Sequence, residues 1–159
     1  FVMGETRSET LTSALVGTLG FDQYYQQSLN ASGGLLLQWQ TMYSVINAAN
    51  LLIKYVPGIT FRTEAAKNDI LAQAYTTRAF MYYAMTRTWG DLPLRTDPIE
   101  GYDPTSVQVA RSPVADVFKL IKGDLDQALK LYSTNNFPAG RNIWSRPSAN
   151  ALKSDVYLW

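Results

Sequence analysis

The sequence predicts a mainly α protein, built from antiparallel helical hairpins with long connections between them. Apolar residues recur at spacings of three and four through residues 36–56, 64–89 and 114–132. Helix start and stop signals close each run. The halves of the chain also overlay in helical register.

The first 34 residues are rich in Thr, Ser, Gly, Gln and Asn, with a weakly apolar segment from Leu11 to Leu19. They read as a short helix and loops. From about Leu36, Trp39, Tyr43, Ile46, Asn50 and Ile53 mark a helix of about five turns, which Pro57-Gly58 ends. Thr63 is placed to cap the next helix, with Glu64 in its first turn, where a negative charge suits the dipole. That helix should run to Trp89, with Arg87 in its last turn and Gly90 just beyond. Residues 36–89 therefore form a first hairpin.

After a connection marked by Pro93, Pro98 and Pro104, Ser112-Pro113 reads as an N-cap followed by a proline at the first helical position. The stripe Val114, Val117, Ile121, Leu125, Ala128 and Tyr132 defines the third helix. A loop over 133–146 leads to a last helix at Pro147-Ser148, so 112–159 form a second hairpin. A shift of 75 places Ile46 on Ile121, and a shift of 77 places Ala74 on Ala151 and Phe80 on Tyr157. That likeness suggests stacked pairs of tetratricopeptide type, with connections too long for a regular period.

The 159 residues are 47% apolar, enough for a compact domain or part of a larger one. Fourteen basic and thirteen acidic residues are interspersed, so the chain carries no footprint for a nucleic acid backbone. With no cysteine or histidine, thiolate chemistry and imidazole base catalysis are excluded within it. No apolar run approaches the roughly 20 residues that span a bilayer. Both ends read as cut: Phe1 opens without a methionine or signal pattern, and Val156 to Trp159 close inside a helical pattern. The chain is expected to be a fragment of a longer one.

The segment Ala74 to Leu94, AYTTRAFMYYAMTRTWGDLPL, crowds aromatics around two arginines. Leu71, Ala74, Tyr75, Arg78, Tyr82, Met85 and Trp89 share one stripe, while Phe80 and Tyr83 lie on other sides, so this helix is expected to be covered all round. Its aromatics, Phe80 included, read as internal packing. Arg78 falls within the apolar stripe, where an unpaired guanidinium is too costly, so a carboxylate or loop carbonyls should hold it. By the same argument Asn50 should clamp loop backbone. Gly90 releases the helix and Pro93 keeps Leu92 extended.

These residues resemble a known family. Arg78-Ala79-Phe80 with Tyr82-Tyr83, then Gly90-Asp91-Leu92-Pro93-Leu94, is similar to the "RAFYY…GDVPL" segment of SusD/RagB nutrient-binding outer-membrane lipoproteins. Trp39, Tyr43, Ile46, Ala49 and Asn50 resemble that family's "W…Y..I..AN" helix. Ile121, Asp124, Leu125, Ala128 and Leu131 resemble its "I..DL..A..L" helix, and Arg141 with Ala149, Ala151, Val156, Tyr157 and Leu158 its "GR…A..L..RVYL" segment. The resemblance covers about residues 39 to 159. It implies a SusD-like α-α superhelix, of which 1–159 would be the N-terminal helical domain. It further implies a non-catalytic, cofactor-free protein, lipid-anchored on the outer face of the outer membrane. The implied partners are a SusC-like TonB-dependent transporter and a glycan or other nutrient. Residues 2 to 20 hold no aromatic, a departure from starch-type members that argues against starch as the ligand.

Sugar recognition needs flat aromatic faces beside amides or charged groups. Tyr24, Tyr25 and Gln26, within Asp22 to Gln27, and Trp144 ahead of the last helix are the candidate contacts, although packing onto the scaffold is the simpler role for each. Trp39, Tyr43, Asn50, Arg78, Phe80, Gly90, Asp91 and Pro93 are expected to serve structure. A catalytic carboxylate pair is not evident, since Asp124 and Asp126 point about 200° apart on their helix. The same fold would equally serve a helical-repeat scaffold for protein partners without sugar binding.

Overall fold

The computed structural model describes residues 39–101, 108–137 and 142–159. The expected sites Tyr24, Tyr25, Gln26 and Arg141 lie outside the described residues. The described helices are α1 (Gln40–Tyr55), α2 (Glu64–Trp89), α3 (Val114–Leu131) and α4 (Arg146–Leu158). A 3-10 turn, Val56–Gly58, follows α1, and two short strands, β1 (Leu92–Pro93) and β2 (Arg111–Ser112), lie between α2 and α3. No described helix is long and apolar enough to cross a membrane.

Local chemistry accounts for most boundaries. Thr63 Oγ1 accepts the Ala66 N–H at 3.2 Å, and Glu64 occupies the first turn of α2. Gly90 ends α2 with φ 72° and ψ −120°, its N–H donating to Thr86 O at 2.9 Å. The start of α3 differs from expectation. Ser112 belongs to β2 and Pro113 is the N-cap residue, which has no side chain able to cap. Asp91 supplies the acceptor from a distance: its Oδ1 takes the Val114 N–H at 2.9 Å. The antiparallel pairing of Leu92 with Ser112 and of Pro93 with Arg111 brings that carboxylate to the helix end. Helix α4 begins at Arg146 with Ser145 as its cap, where Ser148 Oγ accepts the Ser145 N–H at 2.8 Å.

Successive helices run antiparallel, as their cross-contacts show. From Tyr43 to Asn50 along α1 the partners step back from Tyr82 to Arg78. From Phe118 through Asp124 to Tyr132 along α3 they step from Tyr83 through Arg78 to Thr76. The core joins Ile46 and Ala49 of α1, Ala72, Ala79, Tyr82 and Met85 of α2, and Val117, Ile121, Leu125 and Ala128 of α3. From α4 come Ala149, Leu152 and Val156. Each large apolar group withdrawn from water contributes roughly 1.5–3 kcal/mol.

Helix α2 is not covered all round. Along the sector Gln73, Thr77 and Phe80, at i, i+4 and i+7, the first two are half-buried and Phe80 is 37% exposed. Phe80 is therefore a rim residue rather than internal support. Its ring leans on Trp144, with centroids 5.3 Å apart and planes at 57°.

Candidate functional site

Two clusters of polar and aromatic residues stand out, one inside the helices and one on their surface. The inner cluster centres on Arg78, which is 5% exposed, in the middle of α2. Its Nε and Nη2 each donate to Asp124 of α3 at 2.7 Å, a bidentate pair. Its Nη1 donates to Asn50 Oδ1 of α1 at 2.8 Å and, at 3.4 Å, to Thr96 O. Asn50 Nδ2 in turn donates to Arg95 O at 3.1 Å and to Asp97 O at 3.4 Å. One guanidinium and one amide thus join three helices and the loop after β1.

Burial works against charge on both partners. For Arg78, the Asp124 carboxylate outweighs that burial and the pKa goes up. For Asp124, burial pushes the carboxyl up while Arg78 pulls it back, so it is less acidic than an exposed aspartate. Every Arg78 nitrogen and both Asn50 side-chain polar atoms are engaged within the fold.

Around this cluster the Gly-Asp-Leu-Pro segment is tied down. Tyr43 Oη donates to Pro93 O at 2.7 Å, and Tyr82 Oη accepts the Arg95 N–H at 2.7 Å. Burial raises the pKa of both phenols; Tyr82 adds to the effect at Tyr43, and the Arg95 N–H moderates that at Tyr82. Leu92 is fully buried, and Trp39, just ahead of α1, is half-buried.

The surface cluster lies where α2 meets the segment before α4. Gln73, Thr77, Asn142, Ile143, Trp144 and Ser148 line a depression of about 440 Å³. Trp144 also packs against the buried group Ala72, Ala128, Tyr132 and Ala149, so its indole is fixed from behind and by Phe80. Ser148 is committed to the α4 cap, its hydroxyl donating to Ser145 O at 2.8 Å. Gln73, Thr77 and Asn142 have no side-chain hydrogen bond among the described residues. An aromatic surface beside unengaged amides and a hydroxyl can hold a polyhydroxylated ligand.

Comparison with known proteins agrees with this architecture. A family model described as SusD-like, "Starch-binding associating with outer membrane", matches residues 5–158. The chain belongs to the SusD-like family. SusD-like protein P38 of Formosa agariphila is 30% identical over 123 residues, which are 77% of this chain and 23% of that protein. Among solved structures, NanU of B. fragilis aligns over the whole chain with TM-score 0.83 and 32% identity. A SusD superfamily protein of Bacteroides vulgatus also aligns over the whole chain, with TM-score 0.83 and 29% identity. The SusD-like chain spans 32% of each of those two structures.

Of the SusD-like motif residues, Asn50 and Arg78 meet in the inner cluster, and Tyr43 binds the Pro93 carbonyl beside it. Gly90 and Asp91 set the exit from α2 and the entry to α3, and Phe80 stands apart on the rim. Sequence reasoning matched Asp124 to a motif without pairing it to Arg78. It also passed over Gln73, Thr77 and Asn142. The i, i+4, i+7 spacing of Gln73, Thr77 and Phe80 was a signal for the first two.

Proposed function

We propose that the intact protein is a non-catalytic glycan-capture component of an outer-membrane uptake complex. An N-terminal lipid anchor outside this chain would hold it on the cell-surface side, where it would present nutrient to a SusC-like TonB-dependent transporter. The observation that carries this is the family match over residues 5–158. Because the chain spans under a third of its SusD-like relatives, capture is a property of the longer protein. The helices supply its scaffold, and Trp144, with Tyr24, Tyr25 and Gln26, supplies ligand contacts.

Two carboxylates of α3 are engaged by cations of neighbouring helices. Asp124 is engaged by Arg78, and Asp126 Oδ1 accepts from Lys153 Nζ at 2.6 Å. The test is to express the full-length protein with its genomic neighbour, purify it by affinity, and titrate the complex with glycans. Co-purification of a TonB-dependent transporter and saturable saccharide binding are expected. A protein that neither retains a transporter nor binds any saccharide would refute the proposal.

A further inference from the structure

The depression at Trp144 has a chemistry that narrows what it can take. The six described residues that line it carry no ionisable group. A carboxylate or sulfate seated against Trp144, Ile143 and Thr77 would lose water without gaining a cation from these residues, which is unfavourable. The unengaged groups suit hydroxyls instead. The amides of Gln73 and Asn142 each donate two hydrogens and accept at oxygen, and the Thr77 hydroxyl does both, as sugar hydroxyls do. The indole of Trp144, held by Phe80 at 5.3 Å and by the buried group behind it, offers a surface whose orientation is set before any ligand arrives. The volume of about 440 Å³ lies within the roughly 300–1,000 Å³ of small-molecule sites and fits about one or two pyranose units.

We infer that this depression is a subsite for neutral hexopyranosyl units, with Trp144 as the stacking surface and Gln73, Thr77 and Asn142 as hydroxyl partners. The inference rests on the glycan-capture function proposed above. It assigns part of that capture to the helical scaffold itself, at a junction between the two hairpins.

The test uses the full-length protein on an array of neutral glycans (glucans, mannans, xylans, galactans) and anionic ones (polygalacturonate, sialylated and sulfated oligosaccharides). Calorimetry of the best ligand follows, with Trp144→Ala, Trp144→Phe, Gln73→Ala and Asn142→Ala, each checked for native circular dichroism. A neutral glycan should bind best. Trp144→Ala should weaken it about tenfold, and Gln73→Ala and Asn142→Ala each about two- to tenfold, with Trp144→Phe closest to wild type. Because Gln73 and Asn142 lie outside the buried core, their variants keep the test decisive if Trp144→Ala misfolds. Neutral-glycan binding that none of the folded variants alters would overturn the subsite while leaving glycan capture standing. An anionic glycan bound best, through Trp144, would overturn the neutral class. Binding to nothing on the array would remove glycan capture, and the subsite with it.

Discussion

Arg78 and Asp124 face each other from α2 and α3 through two parallel hydrogen bonds of 2.7 Å, and neither is more than 5% exposed. Such a pair repays its desolvation through geometry, and breaking one side strands the other charge. Asp124→Ala or Arg78→Ala should therefore cost about 3–5 kcal/mol in denaturant unfolding. The double replacement Arg78→Met with Asp124→Leu should recover most of that loss, because apolar groups of similar volume can substitute for a buried pair. If the double variant is as unstable as either single one, the loss does not come from an uncompensated charge.

Asn50 secures the loop after β1. Asn50→Ala removes its bonds to Arg95 O and Asp97 O and strips Arg78 Nη1 of its 2.8 Å acceptor. A cost of about 1–3 kcal/mol is expected. Hydrogen exchange should quicken in the 95–99 loop while the centre of α3 keeps its protection. Uniformly faster exchange would mean that Asn50 supports the whole fold rather than this loop.

Gly90 is required for its backbone alone. A Cβ there would meet nothing within 4 Å, yet φ is 72°. Gly90→Ala should lose about 1–3 kcal/mol to strain. Gly58, which also has open space around it and no positive φ, should tolerate alanine with little change. Equal melting temperatures for the two variants would show that the positive φ at Gly90 imposes no strain on alanine.

Asp91 caps a helix that begins 23 residues later in the chain. Asp91→Ala should cost about 1 kcal/mol, a typical cap contribution, and Asp91→Asn, which keeps an acceptor, should cost less. Thermal melts of the two variants make the comparison.

Stability should fall above about pH 10. Tyr43, Tyr82 and Tyr132 each have a pKa raised from the ordinary phenol value of 10.0, chiefly by burial. The folded state therefore keeps protons that the unfolded chain releases near pH 10, and each further rise in pH favours unfolding. Tyr82→Phe removes one such proton and should flatten the slope of unfolding free energy against pH between 10 and 12. An unchanged slope would show that Tyr82 does not contribute.

Local signals made much of the fold legible. Thr63, Glu64, Trp89 and Gly90 bound α2 where their chemistry predicts, because caps and chain release act within a turn. The need of Arg78 and Asn50 for partners was legible from their place in apolar stripes. What escaped was non-local. Ser112 looked like a cap for α3 because nothing nearby reveals that Asp91 is delivered by strand pairing. Phe80 looked like core because residue type does not show which sector of an aromatic-rich helix its neighbours leave open. The surface cluster was hidden for the same reason: Gln73 and Thr77 are ordinary polar positions until Trp144 and Asn142 arrive beside them.

The buried motif holds the helices together, and ligand is taken at the surface. Calorimetric titration of the full-length protein with its preferred glycan, wild type against the repacked Arg78→Met/Asp124→Leu variant, separates these two roles. Saturable binding with affinities within about twofold of each other is expected, since the pair is buried between α2 and α3, away from the depression at Trp144. A natively folded variant that has lost its glycan, or a wild type that binds none, would contradict this division.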